Sequence, residues 1–152
     1  MHAVIWTTTP WTLPANLAIA VNRNLNYAIV TVDSRLLVVA KDRIQALQSL
    51  LDKDLPILAE YPGSEFLGAE FKHPFLEHRV PTLHGDHVTL ESGTGLVHTA
   101  PGHGKEDYQV CKENGIEPYF LTINLSYLNP NLNLNLNPNL NPNPNPNPNP
   151  NL

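Results

Sequence analysis

Two stretches of the sequence contain side chains that could act on a substrate. The first is a loop with adjacent hydroxyl groups, Thr7-Thr8-Thr9-Pro10-Trp11-Thr12-Leu13-Pro14-Ala15-Asn16. Hydroxyl groups both donate and accept hydrogen bonds, so this loop could hold a ribose, a carbonyl oxygen and a water molecule together. A threonine-rich turn capped by its own side chains would have the same composition, so this structural alternative stays open.

The second stretch runs from Gly93 to Tyr108 and reads GTGLVHTAPGHGKEDY. A predicted strand delivers His98 to a glycine-rich loop, and Asp107 falls in the first turn of the helix predicted after it. The helix dipole favours a carboxylate there, and this carboxylate could bind an ammonium group. Taken singly, His98 could equally be a hydrogen-bonded core histidine, and Asp107 a helix-start carboxylate that faces water.

Metal and thiol chemistry are less well supported by the spacing. The imidazole groups are numerous, but no HExxH helix occurs and His84 and His87 share a predicted loop, so we expect no bound metal. The histidines considered for such a site are His73, His78, His84, His87, His98 and His103. Cys111, the only cysteine, lies on the apolar side of a predicted helix beside Tyr108 and is interpreted as core rather than as a nucleophile.

The elements that must position these residues are mostly short strands. Runs of β-prone residues occupy positions 3–6, 17–21, 27–32, 36–39, 87–90 and 95–98. The third and fourth of these runs are predicted to pair as a hairpin. A group of large apolar residues between them and the second motif is predicted to pack beneath loops, namely Phe66, Leu67, Phe71, Phe75 and Leu76.

Two helices complete the predicted body. From residue 41 to residue 52, Ile44, Leu47, Leu50 and Leu51 recur at helical intervals, which predicts an amphipathic helix with these side chains on one face. A second, short helix is predicted over residues 105–114, because Gly115 is a natural C-terminal stop.

The end of the chain differs in composition. Residues 122–152 consist largely of Asn-Leu and Asn-Pro dipeptides with hardly any charge, and prolines at alternate positions from Pro142 to Pro150 remove the donors of a β-ladder. Such a segment lacks the mixture of side chains that builds a core. We therefore predict a folded region over residues 1–121 and a low-complexity, disordered tail over residues 122–152.

Charge and hydropathy restrict the partners and the compartment. The formal net charge is −5, and no run of Lys or Arg could neutralise several phosphates, so strong non-specific binding of nucleic acid is not expected and any RNA contact must be local. No apolar stretch approaches the roughly 20 residues that span a bilayer, so we expect no membrane partner. A single cysteine fits a reducing compartment. We expect a cytoplasmic protein, with the mitochondrial or plastid matrix as the alternative.

Together, the two motifs resemble the paired signature motifs of the editing insert of isoleucyl-tRNA synthetases, which are class I synthetases. Related valyl and leucyl enzymes have an arginine in the first motif, in the form TTRP, whereas this chain reads TTTP at residues 7–10. The segments HPF at 73–75, VP at 80–81 and GDHVTL at 85–90 also resemble the bacterial or organellar branch of the family. The resemblance covers about Ala3 to Pro118.

The fold implied by this resemblance is a β-dominated α+β domain, a partial mixed β-barrel of the isoleucyl, valyl and leucyl editing domain with two short helices. The first part of the insert is expected to be missing, because the chain begins at the strand leading to Thr7, and missing strands would leave unpaired edges. Neither HxGH nor KMSKS occurs in the sequence. The remainder of the synthetase, with its ATP-dependent charging reaction, is therefore expected to be absent.

The function implied by the resemblance is hydrolysis of valine wrongly attached to isoleucine tRNA. In this interpretation Asp107 binds the substrate ammonium, His98 lines the pocket against isoleucine, and Thr7, Thr8, Thr9 and Asn16 complete the site. The threonines contact the terminal adenosine and the carbonyl and help to position the attacking water, without cofactor, metal or protein nucleophile. The expected partner is the 3′ end of mischarged tRNA(Ile), and valyl-adenylate is a second candidate ligand.

Two alternatives to an active editing fragment remain at this point. One is a freestanding trans-editing protein that acts on released mischarged tRNA. The other is an inactive relic, or a non-catalytic module that binds aminoacyl-tRNA and keeps its pocket by descent. Because strands of the parent domain are expected to be missing, robust activity is not expected.

Overall fold

The computed structural model describes residues 1–118, which form two four-stranded sheets and short helices. The predicted tail lies outside the described residues. The strands are β1 (His2–Ala3), β2 (Ala18–Val21), β3 (Asn26–Val32), β4 (Arg35–Ala40), β5 (Ile57–Pro62), β6 (Glu70–Lys72), β7 (Arg79–His84) and β8 (Val97–Thr99). The α-helices are α1 (Ile44–Leu51) and α2 (Lys105–Glu113), and 3-10 turns occupy Pro10–Ala15, Lys41–Arg43 and Gly63–Phe66.

Both sheets are mixed. The first has the order β1-β4-β3-β5, in which β3 and β4 form the antiparallel hairpin predicted from the sequence and β1 runs parallel to β4. The second has the order β6-β7-β2-β8, with β2 parallel to β7 and antiparallel to β8. In this second sheet Ile19 pairs with His98, so a buried strand sets the position of the candidate site histidine.

The segment that contains β1 connects the two sheets. The Val4 amide donates to the Val38 carbonyl on β4 over 3.2 Å, and two residues later the chain has turned to the other sheet. There the Trp6 amide donates to the Leu96 carbonyl over 2.7 Å, and the His98 amide donates to the Trp6 carbonyl over 2.9 Å. Within residues 1–118 the sheets do not close into a barrel, so the predicted β-dominated α+β class with a partial, mixed barrel is confirmed.

The core between the sheets draws side chains from both of them. Its main cluster consists of Ile19, Val21, Tyr27, Val38, Ala40, Phe66, Val80 and Leu96. Tyr27 is fully buried, and its hydroxyl donates to the Gly95 carbonyl over 2.7 Å and accepts from the Asn22 amide over 2.9 Å. Burial raises the pKa of Tyr27. Because its one polar atom is satisfied, this ring contributes apolar area without an unpaired hydroxyl.

The two predicted helices are confirmed, with two differences in the first. The predicted segment 41–52 begins as a 3-10 turn and continues as α1, whose Ile44 and Leu47 are buried against β3 and β4. The sequence also predicts Leu50 and Leu51 on this face, but Leu50 is 80% exposed and Leu51 is 41% exposed. No helix in the described part of the chain is long and apolar enough to cross a membrane.

The predicted strand over residues 87–90 is wrong. A turn closed by the Val88 amide and the Gly85 carbonyl (3.2 Å) enters this segment. Side chains then bind its carbonyl groups, since Asn22 donates to Val88 and Arg43 donates to Leu90 over 3.0 Å each. With these acceptors satisfied by side chains, the segment needs no neighbouring strand.

Strands β5, β6 and β7 were not predicted from the sequence. β5 lies at the edge of its sheet and is exposed along most of its length, so its residues show no alternation between apolar and polar positions.

The aromatic residues predicted to pack beneath loops are only partly buried in the structure. Phe66 is buried and Phe71 packs against the core, whereas Phe75 is 58% exposed, which corrects its predicted place in the core.

Candidate functional site

The threonine loop leaves the second sheet at Trp6 and ends in the 3-10 turn Pro10–Ala15. Local hydrogen bonds hold it in shape, since the Thr9 amide donates to the Thr7 hydroxyl over 3.0 Å. The Thr7 and Thr9 hydroxyls lie 3.4 Å apart, and those of Thr9 and Thr12 lie 3.3 Å apart. The structural alternative is therefore correct in part, because the threonine side chains hold the loop in shape, but Thr7, Thr8 and Thr9 also line a cavity.

His98 is held by hydrogen bonds at both ring nitrogens. The Asn16 side-chain amide donates to Nδ1 over 2.7 Å, and Nε2 lies 3.0 Å from the Thr12 hydroxyl. That hydroxyl donates its own hydrogen to the Thr9 carbonyl over 2.7 Å, so it accepts from Nε2. The ring is therefore neutral, with its proton on Nε2.

The orientation of the Asn16 amide supports this assignment. Its NH₂ group also lies 2.8 Å from the Ala18 carbonyl and 3.3 Å from the Thr99 carbonyl. An amide oxygen in that place would face both carbonyl oxygens, so the amide nitrogen must point toward them and His98. Burial, and next the charges of His73 and His103, lower the pKa of His98 from 6.5 to about 4. His98 thus stays neutral at physiological pH.

Asp107 occupies the first turn of α2, as predicted. Its carboxylate accepts the Ala100 amide over 2.8 Å. Burial raises the pKa of Asp107, while the Ala100 hydrogen bond and the nearby charge of His87 act in the opposite direction. Gly104 leaves room for this carboxylate, because a Cβ atom there would lie 3.0 Å from its Cγ atom.

These elements line a cavity of about 360 Å³ that is open to solvent on one side. Five of the six predicted site residues line it: Thr7, Thr8, Thr9, His98 and Asp107. Asn16 does not line this cavity but lies behind it, where it holds the His98 ring. The structure thus brings together two motifs that are separated by about 90 residues in the sequence, with hydroxyl groups, an imidazole and a carboxylate around one volume.

Several lining residues were not predicted as part of this site. They include Trp6, His87, Thr89, Ser92 and His103. The Nε2 atom of His87 is buried without a hydrogen-bond partner in the described part of the chain. The sequence contains only a weak signal that His87 and His103 belong to this site, since both are among the histidines considered above for a metal site.

Three of the six histidines of that hypothesis make contacts that do not involve a metal. The His73 and His78 rings are in contact, with centroids 4.8 Å apart and planes tilted by 39°, and His84 lies 3.0 Å from the Asp86 carboxylate. Within residues 1–118, no group of three or more His, Cys, Asp or Glu side chains is arranged to hold a metal ion.

Cys111 is fully buried on α2, which confirms its interpretation as a core residue. Burial, with a smaller contribution from the charge of Asp107, raises the pKa of the thiol to about 11. The thiol therefore remains protonated near neutral pH and is a poor nucleophile. Tyr108, which was expected beside it on the apolar face, is 40% exposed.

The arrangement is suited to orienting a small polar substrate. The threonine hydroxyls can donate to an oxyanion or hold a water molecule, and the Asp107 carboxylate can bind a cationic group. His98 cannot accept a proton from water in this geometry, because both of its nitrogens are already engaged. His98 therefore contributes to the shape of the cavity and not to proton transfer.

Solved structures identify the class of fold. The described residues resemble GlLeuRS-CP1 with a TM-score of 0.64 at 21% identity, over 75% of this chain and 46% of that chain. They resemble the Plasmodium falciparum cytosolic leucyl-tRNA synthetase editing domain with a TM-score of 0.58 at 17% identity, over 74% and 47% of the two chains. The fold is thus that of a synthetase editing domain.

Sequence relatives identify the family. No protein-family model matches the chain. Isoleucine–tRNA ligase from Klebsiella pneumoniae (strain 342) is 51% identical over 115 residues, which are 75% of this chain and 12% of the ligase. The ligase from Acaryochloris marina is 46% identical over 116 residues (76% and 12%), and that from Histophilus somni is 47% identical over 125 residues (82% and 13%). The chain belongs with the editing domains of isoleucine–tRNA ligases and spans about an eighth of the length of these curated relatives.

Proposed function

We propose that this chain hydrolyses the ester bond between valine and the 3′-terminal adenosine of tRNA(Ile). The observation that supports this proposal is the cavity in which the threonine hydroxyls, the His98 ring and the Asp107 carboxylate meet. An aminoacyl ester presents an ammonium group, a carbonyl and a ribose within a few ångströms of one another. The cavity offers a partner of suitable chemistry for each of these groups.

Asp107 is the residue proposed to bind the ammonium group. Its carboxylate is held by the Ala100 amide at the start of α2, so its direction is set before a substrate arrives. Partial burial strengthens its attraction to a cation by reducing the competition from water. A substrate ammonium in turn stabilises the ionised carboxylate, which burial alone disfavours.

The threonine loop is proposed to hold the carbonyl and the attacking water. Water adds to the ester carbonyl carbon, the bond to the ribose oxygen breaks, and that oxygen receives a proton, so valine and a free 3′ end are the products. An aminoacyl ester is already activated, so orientation of the water and hydroxyl donors near the developing oxyanion can supply much of the acceleration. The fully protonated Cys111 is not needed for this route.

His98 is proposed to exclude isoleucine by its shape. A hydrophobic pocket distinguishes ligands that differ by one methylene by only about 1–3 kcal/mol, a limit for which isoleucyl-tRNA synthetase is itself the standard example. A second site that admits only the smaller amino acid overcomes this limit. A ring fixed at both nitrogens makes a firm wall for such a site, because rigid packing makes an additional methylene costly.

We also propose the partners and the compartment of this chain. The 3′ end of mischarged tRNA(Ile) is the proposed partner, and valyl-adenylate is a second candidate ligand. In the complete ligases, the remaining regions would supply the ATP-dependent charging reaction and most of the contacts with tRNA. We place this chain in the cytoplasm, with the mitochondrial or plastid matrix as the alternative.

The proposal is tested by deacylation of preformed valyl-tRNA(Ile) with the full chain. Asp107→Asn should abolish hydrolysis because it removes the charge that binds the ammonium. Glu106→Gln is the matched control, since this neighbouring exposed carboxylate does not line the cavity. His98→Ala should retain hydrolysis of valyl-tRNA(Ile) and increase that of isoleucyl-tRNA(Ile).

The outcomes separate the proposed activity from its alternatives. Equal background rates for the wild type and Asp107→Asn would reject hydrolysis by this site. If the wild type then bound a non-hydrolysable valyl-adenosine analogue and Asp107→Asn did not, the non-catalytic binding module would be the better assignment. If the wild type neither bound the analogue nor hydrolysed the ester, the inactive relic would be the better assignment.

A further inference from the structure

Two histidines lie behind the threonine loop, in the turn between β6 and β7. His73 is almost completely buried and His78 is half-buried, and their rings make a tilted contact with centroids 4.8 Å apart. Neither residue lines the cavity of about 360 Å³. Both nevertheless contact the segment that shapes it.

The hydrogen bonds of His73 define the state of its ring. Nδ1 accepts two amides of its own turn, those of Phe75 (3.3 Å) and Leu76 (3.0 Å). Nδ1 therefore carries no hydrogen, and in the neutral ring the proton is on Nε2. Nε2 donates it to the Leu13 carbonyl over 2.9 Å. One nitrogen thus builds the turn, and the other reaches across to the threonine loop.

His78 makes a parallel contact. Its Nε2 lies 3.2 Å from the Asn16 carbonyl, which can only accept, so the imidazole donates. The His73 amide also donates to the His78 carbonyl over 2.9 Å, which keeps the two residues together. The pair therefore binds both Leu13 and Asn16, at the end of the 3-10 turn. The Leu13 carbonyl also accepts the Asn16 amide over 3.0 Å, and a carbonyl oxygen has two lone pairs, so it can accept the imidazole as well.

The same 3-10 turn supports the wall of the cavity. Asn16 and Thr12 bind the two nitrogens of His98 at 2.7 and 3.0 Å. A displacement of the turn would move both groups and release the ring.

We infer that His73 and His78 are positioning residues that hold the His98 ring against the cavity through the Leu13 and Asn16 carbonyls. The positioning of the His98 ring by His73 and His78 does not depend on whether this chain catalyses a reaction. Their effect on amino-acid selection rests on the proposed function, because a loosened ring would admit a larger side chain. Residues in supporting contacts commonly determine how accurately a site is held.

His73→Asn separates this role from construction of the turn. The Asn carbonyl oxygen can replace Nδ1 as acceptor for the Phe75 and Leu76 amides, but the shorter side chain cannot reach the Leu13 carbonyl. His78→Phe is the second variant, because it retains an aromatic ring beside His73 and loses the donor to the Asn16 carbonyl. Val80→Ala is the matched control, since it truncates a buried core residue on β7 whose side chain has no group that could donate a hydrogen bond to the Leu13 or Asn16 carbonyl.

The primary measurement is NMR of the His98 ring nitrogens during a pH titration of the full chain. The wild type should show one neutral tautomer with the proton on Nε2 and a pKa near 4. In His73→Asn and His78→Phe we expect a mixture of tautomers and a higher His98 pKa, while Val80→Ala should keep the wild-type pattern. An unchanged ring in both histidine variants overturns the inference. An equal change in Val80→Ala also overturns it, because general loss of stability would then be the cause.

Deacylation assays then test the consequence for selection. In His73→Asn we expect the ratio of valyl-tRNA(Ile) to isoleucyl-tRNA(Ile) hydrolysis to fall on the order of tenfold, because small misplacement of a site group is costly. A changed His98 ring with an unaltered ratio would overturn the role in selection. If the wild type hydrolyses neither substrate, the proposed function fails, while the NMR result still decides whether the two histidines position the ring.

Discussion

The side-chain amide of Asn16 donates to Nδ1 of His98 over 2.7 Å, from a position outside the cavity that His98 lines. This relationship assigns different tasks to two residues that were both predicted as site residues. His98 can contact a ligand, whereas Asn16 determines which tautomer and which orientation His98 presents. Loss of either side chain should reduce selection, but for different physical reasons.

Asn16→Ala tests this assignment through stability. The change removes the donor to His98 and to the Ala18 and Thr99 carbonyls, and the buried acceptors lose their partner. We expect the free energy of unfolding to fall by about 1–3 kcal/mol. Urea unfolding at neutral pH measures this loss. Asn24→Ala, at an exposed turn, is the control and should change stability much less; similar losses in both variants would contradict the assignment.

The lowered pKa of His98 predicts a pH-dependent stability. The folded state keeps the ring neutral down to about pH 4, whereas the unfolded chain protonates it near 6.5, so the unfolded state binds more protons in this interval. The contribution of His98 to the free energy of unfolding is therefore complete above pH 6.5 and is lost as the pH falls toward 4. The total loss should be up to about 3 kcal/mol.

Urea unfolding between pH 4 and 6.5 measures this dependence. His98→Gln should flatten it, since glutamine does not titrate. Asp107 acts in the opposite direction, because its raised pKa stabilises the fold at low pH and this contribution is lost as the pH rises through the folded pKa. Asp107→Asn should therefore make the free energy of unfolding rise more steeply with pH over this interval. The same slope in the wild type and in His98→Gln would show that another group causes it.

Gly104→Ala tests the space around the Asp107 carboxylate. Gly104 has extended backbone angles (φ −143°), so alanine meets no conformational strain there. Its Cβ atom would lie 3.0 Å from Cγ and 3.1 Å from Oδ2 of Asp107, which forces the carboxylate to shift. We expect binding of a valyl-adenosine analogue to weaken on the order of tenfold with little change in melting temperature.

Isothermal titration and thermal unfolding of the same samples provide both measurements for Gly104→Ala. Lys105→Ala, at the next and exposed position, is the control for effects on the start of α2. Wild-type affinity in Gly104→Ala would mean that the position of the carboxylate is not important for binding.

Gly95→Ala tests a close approach between the second motif and β4. Gly95 has a positive φ of 79°, and a Cβ atom there would lie 2.3 Å from the Cβ atom of Ala40. We expect the free energy of unfolding to fall by about 3 kcal/mol or more, from backbone strain and overpacking together.

The matched control for Gly95→Ala is Gly68→Ala. Gly68 has the same φ of 79°, but no other heavy atom lies within 4 Å of its Cβ position. This variant should lose only the backbone contribution of about 1–2 kcal/mol. Denaturant unfolding of both proteins separates the two causes. Equal losses would show that the approach to Ala40 is relieved by a small movement.

Local patterns were sufficient to predict much of the fold. The hairpin of β3 and β4 and the two helices follow from residue periodicity over a few positions, and the structure confirms them. The segment 87–90 was predicted wrongly because distant side chains, from Asn22 and Arg43, bind its carbonyl groups. Strand β5 was missed because its exposed residues have no pattern that distinguishes one face from the other.

The candidate site likewise depends partly on local sequence and partly on tertiary contacts. By itself the sequence determined the two motifs, their likeness to the editing insert, and the residue types able to bind an ammonium group and orient water. Only the tertiary structure decided that His98 is a neutral wall, that Asn16 lies behind it, and that His73 reaches the threonine loop. These contacts join residues 60 to 82 positions apart. Such pairs depend on how the sheets pack, and local periodicity contains no information about that packing.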